Sequence, residues 1–237
     1  MKKTLLSLFC LASASLFAQN VYIPDPDLNS YLISHTGINT NGDGEISYAE
    51  ANAYTGIISA PNLTISDLTG LEAFTNITEV FLPNNNISFA NFTANTALTK
   101  IAIGLNPLTT LDVTGLTNLT SLGADFTYSL ASIDLSTNVN LEVLNLNNNQ
   151  LTSLDVSNNI NLSNFSASFN QLTTIDLSNN TAIENLNFYD NNLSSLDLSN
   201  QTNLTWLAIK SNNLNASSLT LPNTSSLTFV HLGDNAL

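Results

Sequence analysis

From Ile77 onward the chain repeats one pattern of apolar and polar positions. The clearest copy is Leu141–Leu151, LEVLNLNNNQL, with apolar residues at its first, fourth, sixth and eleventh positions and asparagine at its ninth. Copies begin at Ile77, Leu98, Leu119, Leu141, Leu162, Ile183, Leu204 and Leu227, spaced 21, 21, 22, 21, 21, 21 and 23 residues apart. Leu144 and Leu146 alternate with Asn145, the period of a strand with one buried face. Leu141 and Leu151 are expected to point into the same core from the flanking turns. One such unit cannot bury its apolar side alone, so the copies must stack into a solenoid. Strands about 4.8 Å apart give a parallel sheet roughly 35 Å long for eight units.

The ninth position is asparagine in seven units, at Asn85, Asn106, Asn149, Asn170, Asn191, Asn212 and Asn235. The chain turns inward there, and an amide side chain offers both donors and an acceptor to peptide groups that have no ladder partner. Thr127 replaces it in the third unit, which is followed by the 22-residue gap, so an irregularity is expected at Thr127–Leu130. The second half of each unit reads LDVT at Leu111, IDLS at Ile133, LDVS at Leu154, IDLS at Ile175 and LDLS at Leu196, which predicts a short extended arc on the convex side. Its aspartates, Asp112, Asp134, Asp155, Asp176 and Asp197, form a column. Either they bind cations or each accepts hydrogen bonds from nearby amides, and the recurrence of the turn favours the amides. The eighth-position residues Leu105, Phe126 and Phe169 are expected to tuck under the sheet edge as core. Residues Leu63, Ile65, Leu68, Leu71 and Phe74 suggest a degenerate first turn.

The repeat matches the consensus of leucine-rich repeats and, in this short form, resembles secreted bacterial leucine-rich proteins of the internalin-like type. The resemblance covers about Leu63 to Leu237. It implies a β-rich solenoid with a parallel concave sheet and little helix, but it specifies no ligand, because the same scaffold carries many unlike binding sites.

The segment before the repeats reads differently, and residues 19–56 are assigned to a helical N-terminal cap preceding a repeat domain at 57–237. Asp25 and Pro26 are the cap and first position of a helix that ends near Gly37, and Ser47–Tyr54 suggests a second helix. Between them, counted from Asn39, oxygen-bearing side chains fall at positions one, three and five (Asn39, Asn41 and Asp43), with Gly44 sixth and Glu50 twelfth. This looks like an EF-hand calcium loop, which would hold calcium through Asn39, Asn41, Asp43, the Glu45 carbonyl and Glu50. The neutral Asn39 at position one departs from that motif, and the hand is single. The alternative is a cap that needs no metal.

Residues 1–18 read as a secretory signal peptide, with Lys2 and Lys3, an apolar run through Phe17, and cleavage near Ala18. The only cysteine, Cys10, lies within it, so disulfides are excluded from the exported chain. The remaining two lysines stand against 18 acidic residues, a net charge of −16. Nucleic acid and anionic membrane surfaces are poor partners for such a chain. The apolar leader is too short to span a membrane comfortably, so a secreted or cell-surface location is expected.

Positions three, five and seven of each unit face outward from the concave sheet. Their middle is small and polar, whereas Tyr189, Trp206, Lys210, Phe229 and His231 gather towards the C-terminal end as a candidate site for a protein or glycan. Alternatively, further repeats cover Phe229 and His231. The chain stops on the last leucine of a unit, which suggests that it continues. Nucleophile and metalloprotease signatures are lacking; the plentiful acidic residues leave a two-carboxylate glycosidase open by composition, but nothing pairs two of them on the concave face, so no enzyme is expected. The reading is an exported binding or adhesion module, with the recognition arm of a larger enzyme and a structural surface component as rivals.

Overall fold

In the computed structural model, which describes residues 19–237, helix α1 (Pro26–Ser34) and helix α2 (Tyr48–Ala53) precede the coils. The Asp25 carboxylate caps α1, its Oδ1 accepting from the amides of Asp27 and Leu28 at 3.0 Å. Its Oδ2 accepts from Ser66 N at 2.8 Å, Ser66 Oγ at 3.1 Å and Asp67 N at 3.2 Å, so the same side chain pins the cap to the first coil. Burial pushes the Asp25 carboxyl up, but the amides of Leu28, Ser66 and Asp67 outweigh it and hold it below the usual carboxylate range. Helix α1 lays Leu28 and Leu32 into the core. Ser47 and Glu50 form a capping box at the start of α2.

The solenoid carries nine parallel concave strands: β1 (Ile57–Ser59), β2 (Glu79–Phe81), β4 (Lys100–Ala102), β6 (Ser121–Gly123), β7 (Val143–Asn145), β8 (Asn164–Ser166), β9 (Asn185–Asn187), β11 (Trp206–Ala208) and β13 (Phe229–His231). They pair in that order with matched register, so each repeat position forms a straight lane across the sheet. Strand β1 goes beyond the eight predicted from the pattern. Its unit lacks the leucines and the ninth-position asparagine, yet Ile58 is fully buried and its backbone pairs with β2.

The convex side differs from expectation. Among the described residues, extended pairing there occurs only between β3 (Phe89–Asn91) and β5 (Thr110–Asp112), and between β10 (Leu196–Asp197) and β12 (Leu219–Thr220). In the middle coils, turns take up the amides instead: Asn138, Asn159 and Asn180 donate to carbonyls three residues back at 2.9–3.0 Å. The convex aspartates serve these turns, Asp134, Asp155, Asp176 and Asp197 each accepting an amide two residues on at 2.9 Å. Hydrogen bonds from Ser136, Ser157, Ser178 and Ser199 keep their carboxyls below the usual range, outweighing the repulsion of Asp134 on Asp155 and of Asp155 on Asp176.

Two ladders of amide side chains run through the stack. In the first, Asn170 Nδ2 donates to Leu146 O at 2.9 Å on the preceding coil and to Ala167 O at 3.1 Å on its own, while its Oδ1 accepts from Leu151 N at 3.0 Å. Asn106, Asn191 and Asn212 repeat this arrangement. At the irregular coil the Thr127 hydroxyl bonds Asn149 Oδ1, and Tyr128 takes a left-handed backbone with φ of 58°. The second ladder, Asn95, Asn138, Asn159, Asn180 and Gln201, is wholly buried, and each side chain donates to two carbonyls of the coil before it. Its signal lies in the sequence, three residues before the first leucine of the next unit, but the carbonyls it serves are more than twenty residues away.

Replacing Asn170 by Ala removes the donors to two coils and orphans the Leu151 amide. The expected loss is about 2–3 kcal/mol of unfolding free energy, measured by denaturant titration, with a smaller loss for Asn170→Thr, the residue type used at Thr127.

Candidate functional site

The lanes of the concave sheet bring the aromatic residues together. Trp206 on β11 and Phe229 on β13 are direct cross-strand partners, and their rings stack at 5.1 Å with 7° between planes. Tyr189 and His231 stack at 6.5 Å and 25°, and Lys210 Nζ sits 5.9 Å from the centre of the Tyr189 ring. Lys210 also pairs with Asp234 at 3.1 Å, which raises its pKa above the usual lysine value. All five predicted residues therefore meet in one patch, in which Phe229 and His231 are exposed and Tyr189, Trp206 and Lys210 partly so.

Beside the patch the sheet forms a hollow of about 330 Å³ lined by Val143, Asn145, Asn147, Asn164, Ser166, Asn185, Asn187 and Trp206. Trp206 is its end wall, and it contains no charged side chain. Another hollow of about 330 Å³ lies next to the cap at Ser66–Thr69, Glu72, Phe89 and Asn91. There Asp67 accepts from Thr69 and Glu72 from the Gly70 amide, so the carboxylates are already engaged.

The eighth-position residues are not core. Leu105 is 51 %, Phe126 38 % and Phe169 45 % exposed. The cause is the backbone: all three adopt left-handed φ values of 54–57°, which turn the side chain outward at the bend. Sister coils place Asn84, Asn148 and Asp190 here, residues that tolerate this conformation, whereas bulky apolar residues are strained in it. Phe169 extends the aromatic patch, with its ring edge-on to Tyr189 at 5.0 Å. Leu105, Pro107, Phe126 and Tyr128 border a separate apolar hollow.

In the Asn39–Glu50 loop three side-chain turns follow in order. Asn39 Oδ1 accepts from Gly42 N at 3.0 Å, Asn41 Oδ1 from Asp43 N at 2.9 Å, and Asp43 Oδ1 from Glu45 N at 2.9 Å. Ile46 O accepts from Val21 N at 2.7 Å, and Asn20 bridges Ser47, so the stretch before α1 pairs with the end of the loop. Donor types and order fit calcium. Glu50 is the departure: Oε1 accepts from Thr40 N, Thr40 Oγ1 and Asn41 N, and Oε2 from Ser47 N and Oγ, at 2.9–3.3 Å. Desolvation pushes this carboxyl up, but those donors win and lower it from its ordinary 4.5 to about 2. Glu50 thus already ties the start of the loop to the start of α2, and an ion would have to replace these bonds.

No family model matches the chain, and no curated protein sequence matches it either. Solved structures do. An internalin C2 from Listeria monocytogenes superposes with a TM-score of 0.77 at 27% identity, covering 91% of this chain and 98% of that one. The functional domain of InlJ from Listeria monocytogenes, which includes a cysteine ladder, gives 0.63 at 28% identity, covering 93% of this chain and 54% of that one. A leucine-rich repeat protein of Leptospira interrogans gives 0.59 at 19% identity over 73% of this chain and 53% of that one, a likeness of fold. The chain therefore has the leucine-rich repeat fold in its internalin-like form. This chain has no cysteine beyond Cys10, and its ladders are built from amides.

Exchanging Leu105 for Asn, the residue of two sister coils, relieves a left-handed apolar residue worth roughly 1 kcal/mol or more. Thermal unfolding is expected to move upward. An unchanged or lowered midpoint would show that Leu105 makes compensating contacts.

Proposed function

We propose that the chain is a protein-binding or adhesion-type module that recognises a macromolecule on the C-terminal half of its concave face. The observation that carries this is the Trp206–Phe229 stack, an aromatic pair standing on an open sheet next to Tyr189, His231 and Lys210. Large rings in a solvent-facing cluster are the usual anchors of recognition surfaces, and concave faces are where solenoids bind. An exported location agrees with this reading; the leader that supports it, Met1–Ala18, lies outside the described residues. Among the described residues no helix is long and apolar enough to cross a membrane.

The test uses fluorescent mature chain against intact bacterial cells and immobilised extracellular-matrix proteins. Tyr189→Ala with Trp206→Ala is expected to weaken binding by at least about tenfold, the effect of losing an aromatic hot spot, with the melting temperature nearly unchanged. Undiminished binding of this double variant would move the site off this face.

For the cap, the nested side-chain turns at Asn39, Asn41 and Asp43 favour calcium over an empty loop. Asn39, Asn41, Asp43, the Glu45 carbonyl and Glu50 would hold the ion, whose charge would tie the two helices together. Glu50→Ala alone is a poor probe, because Glu50 also supports the loop through hydrogen bonds. Calcium is expected to raise the melting temperature of the natural chain over its value in EDTA and to leave Asp43→Asn unmoved. Coincident curves for the natural chain would make the loop a metal-free cap.

A further inference from the structure

Resting on the concave-face reading, we propose that the hollow beside Trp206 takes an uncharged, hydroxyl-rich polysaccharide. The orientation of three asparagine amides carries the inference. Asn145 Oδ1 is held by the Asn147 amide at 3.2 Å, and Asn187 Oδ1 by the Tyr189 amide at 3.2 Å. Asn147 Oδ1 accepts from Ser166 Oγ, Ser168 N and Ser168 Oγ, each at 2.7 Å. With the acceptor end of each amide pinned to the protein, the Nδ2 groups remain as donors with no acceptor among the described residues. Asn185 gives its Nδ2 to Asn164 Oδ1 at 2.8 Å and keeps its own Oδ1 for a ligand donor. The hollow thus offers several preset donors and, in Asn185 Oδ1, an acceptor that takes no protein hydrogen bond among the described residues, in lanes that repeat from strand to strand about every 4.8 Å.

Each property of that surface narrows the ligand. A repeating polar lane suits a repeating polymer. Phe229 covers one face of the Trp206 ring, and the face towards the hollow is left for apolar contact, as the C–H side of a sugar ring makes with an aromatic plane. An acidic polymer is disfavoured, because the hollow holds no cation, its nearest one (Lys210) is paired with Asp234, and the exported chain carries −16. An extended peptide is less suited, because strand backbones here are spent in the parallel ladder and the site lies on the face of the sheet, away from its edges. Sugar hydroxyls and ring oxygens are acceptors that match the free Nδ2 groups without any charge.

Affinity electrophoresis of the exported chain in native gels containing dextran, laminarin, xylan or hydroxyethylcellulose, with alginate as the acidic control, tests this. Retardation is expected in at least one neutral polymer and not in alginate. The Asn145→Asp/Asn187→Asp pair keeps the acceptor that each side turn needs but removes the free donors, and it is expected to weaken retardation at least tenfold. Trp206→Ala is expected to do the same, and Phe81→Ala, far along the sheet, to leave it unchanged. Retardation in alginate alone, in no neutral polymer, or undiminished by the aspartate pair would overturn the polysaccharide. If cell or matrix-protein binding still falls with Tyr189→Ala/Trp206→Ala while every neutral polymer fails, the concave-face reading stands and a protein ligand replaces the sugar.

Discussion

The structure depends on how peptide groups are satisfied where each coil bends. A strand in the middle of the concave sheet has its amides and carbonyls paired on both sides, but the chain must leave that sheet nine times over, and each exit turns backbone polar groups towards an apolar interior. Unpaired, each such group would cost on the order of 1–3 kcal/mol. Asn85, Asn106, Asn149, Asn170, Asn191, Asn212 and Asn235 meet this need across coil boundaries, and Asn95, Asn138, Asn159, Asn180 and Gln201 meet it on the other side. The ninth-position amides also act as register pins. A side chain that donates to the coil before it and accepts from the same coil leaves little freedom to slip.

Matched register has a functional consequence. Because each strand pairs with its neighbour position for position, residues of successive units that share a repeat position stand in line on the open face. A single substitution in one unit then becomes a neighbour of the corresponding residues on either side. Trp206 and Phe229 stack because both occupy the third position of adjacent units. The uncharged lane of Asn145, Ser166 and Asn187 arises in the same way at the fifth position. The surface is thus composed by columns, and a repeat scaffold can change what it presents without altering its core.

The cap relies on charge where the coils rely on amides. Asp25 and Glu50 each collect several donors from both sides of a junction, Asp25 between α1 and the first coil and Glu50 between the loop and α2. A carboxylate receiving that many hydrogen bonds is strongly favoured in its ionised form. In a chain with few cations, backbone amides and hydroxyls take the place of salt bridges, of which the described residues show Lys100–Glu79 and Lys210–Asp234.

Much of this was legible in the chain itself. The period, the two buried leucines of each strand, the ninth-position asparagine, the helix cap at Asp25, and the disturbance at Thr127 follow from local rules of spacing and hydrogen-bonding capacity, and so does the alignment of Tyr189, Trp206, Lys210, Phe229 and His231. Three features were decided only in the folded stack. Strand β1 exists because β2 supplies a pairing edge, which lets Ile57–Ser59 serve without the repeat's leucines. Leu105, Phe126 and Phe169 face solvent because a left-handed φ directs their side chains outward, and apolar character alone suggests the opposite. The donor-rich hollow depends on which end of Asn145, Asn147 and Asn187 the neighbouring amides and hydroxyls capture. Composition shows that an amide is present, but only contacts made across coils settle which way it points.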